Sequence, residues 1–133
     1  MTDMVHQYFD EMLSKGKTEL VEKLLDEGAE HKDMVRDEYR RGHEAMVTYL
    51  NEVHKVYPSF WARAEQVGVA DDCTVFCSFE GQATSRTPMF TGVDRFKFNK
   101  DLTKIVEVEI YRSNWQGAKG HEERKKQNAA LRN

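Results

Sequence analysis

The chain has 133 residues, 39% hydrophobic and 32% charged, which suits one packed domain and excludes a disordered segment. Twenty basic and twenty-three acidic residues leave a formal net charge of −3, so no basic field points to a nucleic-acid or anionic-membrane partner. Apolar runs span only a few residues, and Met1-Thr2-Asp3-Met4 lacks the basic and apolar regions of a secretory leader, which predicts a soluble cytoplasmic protein.

Val5, Tyr8, Phe9, Met12 and Leu13 follow the spacing of one helical face, and Lys15-Gly16-Lys17 interrupts it. A second, short helix is predicted after Thr18 as N-cap, with Leu20, Val21, Leu24 and Leu25 as its buried stripe and Gly28 as its stop. The polar stretch from Ala29 to Arg41 reads as a loop with at most one extended piece. A third helix runs from about His43 to His54, burying Met46, Tyr49, Leu50 and Val53, with Pro58 marking its end.

Beyond Pro58 the period becomes two. Phe60 to Val69 is mixed, but Cys73, Val75, Cys77 and Phe79 alternate with polar or exposed neighbours. Phe90, Gly92, Asp94, Phe96 and Phe98 share one face of the next strand. Val106, Val108 and Ile110 form the apolar face of the last one. Sequential strands of this kind predict an antiparallel meander with one face covered by helices, an α+β architecture. The domain is expected to span residues 1–116, followed by a polar tail over 117–133.

Cys73 and Cys77 lie four residues apart in an extended strand, about 13 Å between Cα atoms. A disulfide needs roughly 7 Å or less, so both are expected to be buried, reduced thiols. His31, His43 and His54 do not have metal-ligand spacing, and no metal or cofactor is assigned. His43 reads as a first-turn surface residue and His54 as a last-turn residue favoured by the helix dipole.

Asp94 is the most informative position, because alternation puts its carboxyl on the face that carries Phe90, Phe96 and Phe98. A buried carboxyl persists if it is paired, hydrogen-bonded or neutral, so Asp94 is either a proton or hydrogen-bond donor or a structural partner at a sheet bend beside Gly92. Asp33, in the polar stretch, is either a general base at a pocket mouth or a turn-capping acid. Arg112 continues the alternation of Val108 and Ile110 to the rim of that face, where it either meets an anionic group or marks the return to solvent. Trp61, Trp115 and Tyr49 are expected in the core or the pocket wall.

Three stretches, Leu13-Ser14-Lys15-Gly16-Lys17, Gly42-His43-Glu44-Ala45 at the start of helix three, and Val93-Asp94-Arg95-Phe96-Lys97-Phe98, together resemble the NTF2-like superfamily, in its SnoaL-like and ketosteroid-isomerase-like branch. Ile105-Val106-Glu107 opens the last strand in the same way, and the likeness covers about residues 3 to 116. The resemblance implies a cone of three N-terminal helices on a curved antiparallel sheet, enclosing an apolar pocket. It also implies catalytic roles for Asp33 as the base and Asp94 as the oxyanion acid. A tyrosine on helix one belongs beside them; the ungapped register lands on Phe9, with Tyr8 adjacent. Many SnoaL-like proteins place a histidine where this chain has Val108.

The reading that follows is a cofactor-independent acid–base enzyme of the isomerase, cyclase or dehydratase type acting on a small hydrophobic carbonyl compound. Catalysis is assigned to Asp33, Asp94 and Tyr8, and ligand contact to Tyr49, Val75, Cys77, Phe79, Phe90, Val108, Ile110 and Arg112. Asn substitution of Asp33 or Asp94 is expected to spare stability. The alternative is a non-catalytic module that binds a hydrophobic ligand or dimerises through its sheet, with Phe76 and Tyr111 exposed there. A homodimer is expected in either case.

Overall fold

The computed structural model describes residues 1–113; Trp115 and the expected 117–133 tail lie outside the described residues. The chain opens with α1 (Thr2–Gln7), which continues as a wider π-helical stretch over Tyr8–Leu13. There follow α2 (Glu19–Leu24), β1 (Leu25–Asp33), β2 (Glu38–Arg41), α3 (His43–Val56), β3 (Trp61–Asp71), β4 (Thr74–Gln82), β5 (Phe90–Phe98) and β6 (Ile105–Ser113). The six strands form one sheet in the order β2-β1-β6-β5-β4-β3. The β3 to β6 meander is antiparallel as expected, whereas β1 joins β6 in parallel.

Two expectations are corrected by the backbone. The second helix ends at Leu24 rather than Gly28, and Leu25 is already strand. The stretch from Ala29 to Arg41 is not a loop; it supplies most of β1 and all of β2. On β1 the buried alternation is Leu25, Ala29, His31, Asp33, so hydropathy carries little of the period that the backbone obeys.

The helices cover the concave face through an aromatic core. In the π-helical stretch a turn holds an extra residue, and Tyr8, Phe9 and Met12 are all buried. Tyr8 and Phe9 both meet Phe96 edge-on, at centroid distances of 5.0 and 5.8 Å. The α3 histidines are ties rather than surface residues: Nε2 of His43 donates to the Leu25 carbonyl and Nε2 of His54 to the Leu13 carbonyl, each at 2.7 Å. Gly16 permits the second tie, since it has φ +63° and an added Cβ would lie 2.9 Å from the His54 ring.

Two glycines let the sheet curve under these helices. A Cβ on Gly92 would lie 2.3 Å from the Tyr111 carbonyl and 2.7 Å from the Phe79 ring, and one on Gly81 would lie 2.3 Å from the Phe90 ring. Phe79 pairs with Gly92 and Gly81 with Phe90 across β4 and β5, so each ring lies against the bare backbone of its partner. This combination of covering helices and a curved open sheet is the expected α+β cone. Cys77 is buried and Cys73 only partly so, which corrects the expectation of two buried thiols; both are free.

Candidate functional site

Strand register assembles the site on the concave face. Residues paired directly across strands share a face, so the ladder places Cys77, Asp94, Ile110, Asp33 and Glu38 in one row. The next row runs Val75, Phe96, Val108, His31 and Arg40, and on the other side Phe79, Gly92 and Arg112 follow one another. Gly92 has no side chain, and the Phe79 ring lies against its backbone in that row. Three carboxyl groups in one row, Asp94, Asp33 and Glu38, with Arg40 and Arg112 in the flanking rows, are an arrangement that hydropathy cannot display.

Asp33 is fully enclosed, and both of its carboxylate oxygens are engaged. Oδ1 accepts from the backbone N–H groups of Val35 and Arg36 at 3.1 and 3.0 Å, and Oδ2 accepts from the Arg112 guanidinium. The side chains of this ion pair are 0% and 9% exposed. Asp33 therefore sits at the end of β1 behind Arg112, not in a mobile loop, and it does not line the cavity described below. Substituting it removes the carboxylate that pairs with the buried Arg112 and accepts from two backbone N–H groups, so the expectation that Asp33→Asn spares stability does not fit this geometry.

Asp94 is buried, and its Oδ1 has no hydrogen-bond partner among the described residues. Burial raises its pKa well above the ordinary carboxylate value, Arg112 opposes that shift, and the negative Asp33 adds to it. Asp33 and Arg112 already neutralise one another. The cost of burying a charged carboxylate outweighs the attraction of Arg112, and that favours the protonated form of Asp94.

Tyr8 stands beside it. Its hydroxyl lies 3.0 Å from His31 Nε2, the two rings stack at 12°, and both side chains are buried. Burial, reinforced by Asp94, raises the phenol's pKa well above 10, while burial and then the Arg40 charge push His31 down to about 3. The group is therefore a neutral phenol against a neutral imidazole. Either His31 Nε2–H donates and leaves the phenol proton available, or Tyr8 donates to an unprotonated Nε2.

Tyr8 and Asp94, but not His31, border a cavity of about 30 Å³, room for one or two waters. Of the residues assigned from the sequence, Tyr8, Tyr49, Phe79, Phe90, Asp94, Ile110 and Arg112 line it. Val75, Cys77 and Val108 are fully buried in the core and do not line it. Trp61 does not line it either; its strand turns Ala62 inward. Sequence reading missed Phe9, Phe60 and above all Arg40, whose guanidinium lies 3.8 Å over the Tyr49 ring. Arg40 stands opposite His31 in the β1–β2 ladder, and a strand assignment for Glu38–Arg41 would have placed it. Arg40 and Tyr49 also line a second, outer cavity of about 630 Å³ between β2 and α3, so they stand at the boundary of the two spaces.

Among the described residues no cluster of three or more His, Cys, Asp or Glu has the geometry to hold a metal ion, and no helix is long and apolar enough to cross a membrane.

Comparison with known proteins matches residues 5–108 to the family described as SnoaL-like domain. No curated protein matches the chain. Among solved structures, the epoxide hydrolase/cyclase-like enzyme SalBIII, described for pyran ring formation in the polyether salinomycin, is similar with a TM-score of 0.68 and 20% identity, over 86% of this chain and 95% of that one. A candidate SnoaL-like polyketide cyclase of Shewanella denitrificans OS-217 gives a TM-score of 0.69 at 13% identity, over 84% and 89% of the two chains. A loop-truncated variant of IdmH gives 0.69 at 16%, over 85% and 92%. At these identities the likeness concerns the fold alone.

Proposed function

The chain belongs to the SnoaL-like domain family, within the NTF2-like superfamily, and from that premise we propose that it is a cofactor-independent acid–base enzyme acting on a small hydrophobic carbonyl compound. The observation that carries the reading is Asp94: a buried carboxyl, kept protonated by its surroundings, with an unengaged oxygen and a phenol beside it at an internal cavity. A neutral carboxylic acid can donate its proton to a carbonyl oxygen and accept, at its other oxygen, the proton released by an attacking hydroxyl. Tyr8 donates a hydrogen bond to the same carbonyl oxygen, and Arg112 stabilises the carboxylate while Asp94 lacks its proton. Asp33 serves here as the counter-ion that holds Arg112, since both of its oxygens are engaged.

This arrangement favours cyclisation and dehydration, in which the acid leads, over isomerisation by a strong base. The test is the rate of ring–chain exchange of hydrophobic hydroxyketones, followed by NMR with wild type, Asp94→Asn and Tyr8→Phe. Acceleration that falls by about 10²-fold or more in Asp94→Asn supports the reading. No acceleration of any hydroxyketone by folded wild type overturns it.

Two observations favour the alternative, a non-catalytic module that binds a hydrophobic ligand or dimerises: the inner cavity is small, and the outer sheet face exposes Phe76, Val93 and Tyr111 by 42%, 42% and 45%. A homodimer through that face fits both readings, and sedimentation of Tyr111→Glu against wild type tests it.

A further inference from the structure

The two cavities meet at two side chains. Arg40 and Tyr49 line both the inner space of about 30 Å³ and the outer one of about 630 Å³, and no other described residue lines both. The partition is thus a guanidinium stacked on a ring, with the Arg40 carbon 3.8 Å from the Tyr49 centroid. The rest of the inner wall is fastened more firmly. Phe9 stacks on Phe79 at 5.1 Å and Phe60 on Phe90 at 5.7 Å, all four rings are buried, and Arg112 is bonded to Asp33. Arg40 and Tyr49 are only half-buried. Arg40 meets Glu38 at 3.7 Å, Glu38 is held closer by Arg36 at 2.8 Å, and the Arg40 Nε has no hydrogen-bond partner among the described residues.

The volumes give this partition a consequence. One or two waters fill the inner cavity, whereas a buried cavity that admits a six-carbon ring is roughly 150 Å³. A carbonyl compound of that size reaches Asp94 and Tyr8 only when side chains of the wall move. We infer that Arg40 and Tyr49 are a gate: stacked, they close the inner cavity, and parted, they join it to the outer one as a single site entered between β2 and α3. This rests on the acid–base reading of Asp94 for the carbonyl and adds the route by which it arrives. On the outer side stand Glu38, Glu44 and Glu52, which offer ion pairing to a guanidinium that leaves the ring. A cation–π contact and a partly exposed ion pair are of similar strength, so opening exchanges one for the other and neither position is locked.

The test is fluorine NMR of 4-fluoroacetophenone with the full chain, whose line shapes give the association rate and the affinity. The ring signals of Phe9, Phe79 and Phe90 report filling of the inner cavity. Those signals should shift on binding, and Arg40→Gln, which removes the stacked cation, should raise the association rate about threefold or more. Arg40→Lys should return it toward wild type, and Ala45→Phe, which narrows the outer cavity alone, should lower it. An association rate that either Arg40→Gln or Ala45→Phe leaves unchanged, ring signals that stay in place, or no binding by wild type and Arg40→Gln alike overturns the gate. Asp94→Asn should weaken affinity in wild type and in Arg40→Gln without altering the ratio of their association rates. If the rates respond to the gate variants but affinity does not respond to Asp94→Asn, the gate stands and the reading of Asp94 falls.

Discussion

Replacing Asp94 with asparagine keeps the shape of the side chain but removes its proton equilibrium, and the consequence is a pH-dependent change in stability. In the unfolded chain an aspartic acid ionises near pH 3.9, whereas in the fold burial keeps this one protonated to a much higher pH. Between those two pKa values the folded protein binds one more proton than the unfolded chain, so stability falls as pH rises, by about 1.4 kcal/mol per pH unit. His31 acts with the opposite sign. Its folded pKa of about 3 lies below the unfolded value of 6.5, so its contribution rises with pH across that window and is complete above it. The two slopes oppose one another from about pH 4 to 6.5, and a flat wild-type profile there would conceal both. The difference between wild type and Asp94→Asn isolates the Asp94 contribution. Urea unfolding of both proteins from pH 4.5 to 7.5 should show the variant gaining on wild type by about 1.4 kcal/mol for each pH unit while the folded carboxyl stays protonated. Parallel stability curves would refute the reasoning, because they would mean that Asp94 ionises as readily in the fold as in water.

Other perturbations probe the scaffold around that residue. Arg112→Ala and Asp33→Asn should each destabilise the fold by about 3–5 kcal/mol, measured by denaturant midpoint, because each removes one member of the buried Asp33–Arg112 pair. Gly92→Ala should cost about 1–3 kcal/mol in thermal or urea unfolding, since its methyl group meets the Tyr111 carbonyl and the Phe79 ring. At pH 8 a disulfide reagent should titrate one thiol in the native state, Cys73, and two after unfolding, because burial pushes the Cys77 thiol up to about 12.

The parts of the fold that hydropathy encodes were legible in the sequence, and the parts built from polar pairing were not. On β5 the buried positions are Phe90, Asp94, Phe96 and Phe98, so the apolar alternation by itself turns Asp94 inward. On β1 the inward residues Ala29, His31 and Asp33 are small or polar, and their period is invisible to an apolar template. Leu25 fits a helical stripe as well as a strand, which extends the expected second helix to Gly28. The Asp33–Arg112 pair spans 79 residues and depends on the parallel alignment of β1 with β6, which periodicity does not specify. Arg40 was hidden for the same reason, because it becomes a site residue only once β2 is known to be a strand opposite His31. The apolar pocket expected inside the cone is here a cavity of about 30 Å³, with Phe9, Phe60, Phe79 and Phe90 in its wall.

Isotope-edited infrared spectroscopy of the aspartate carboxyls at pH 7 measures the protonation of Asp94 without a substrate. A protonated-carboxyl band that is present in wild type and absent from Asp94→Asn is the expected result. Only ionised-carboxylate bands, the same in both proteins apart from the missing residue, would contradict it and leave the cone without its acid.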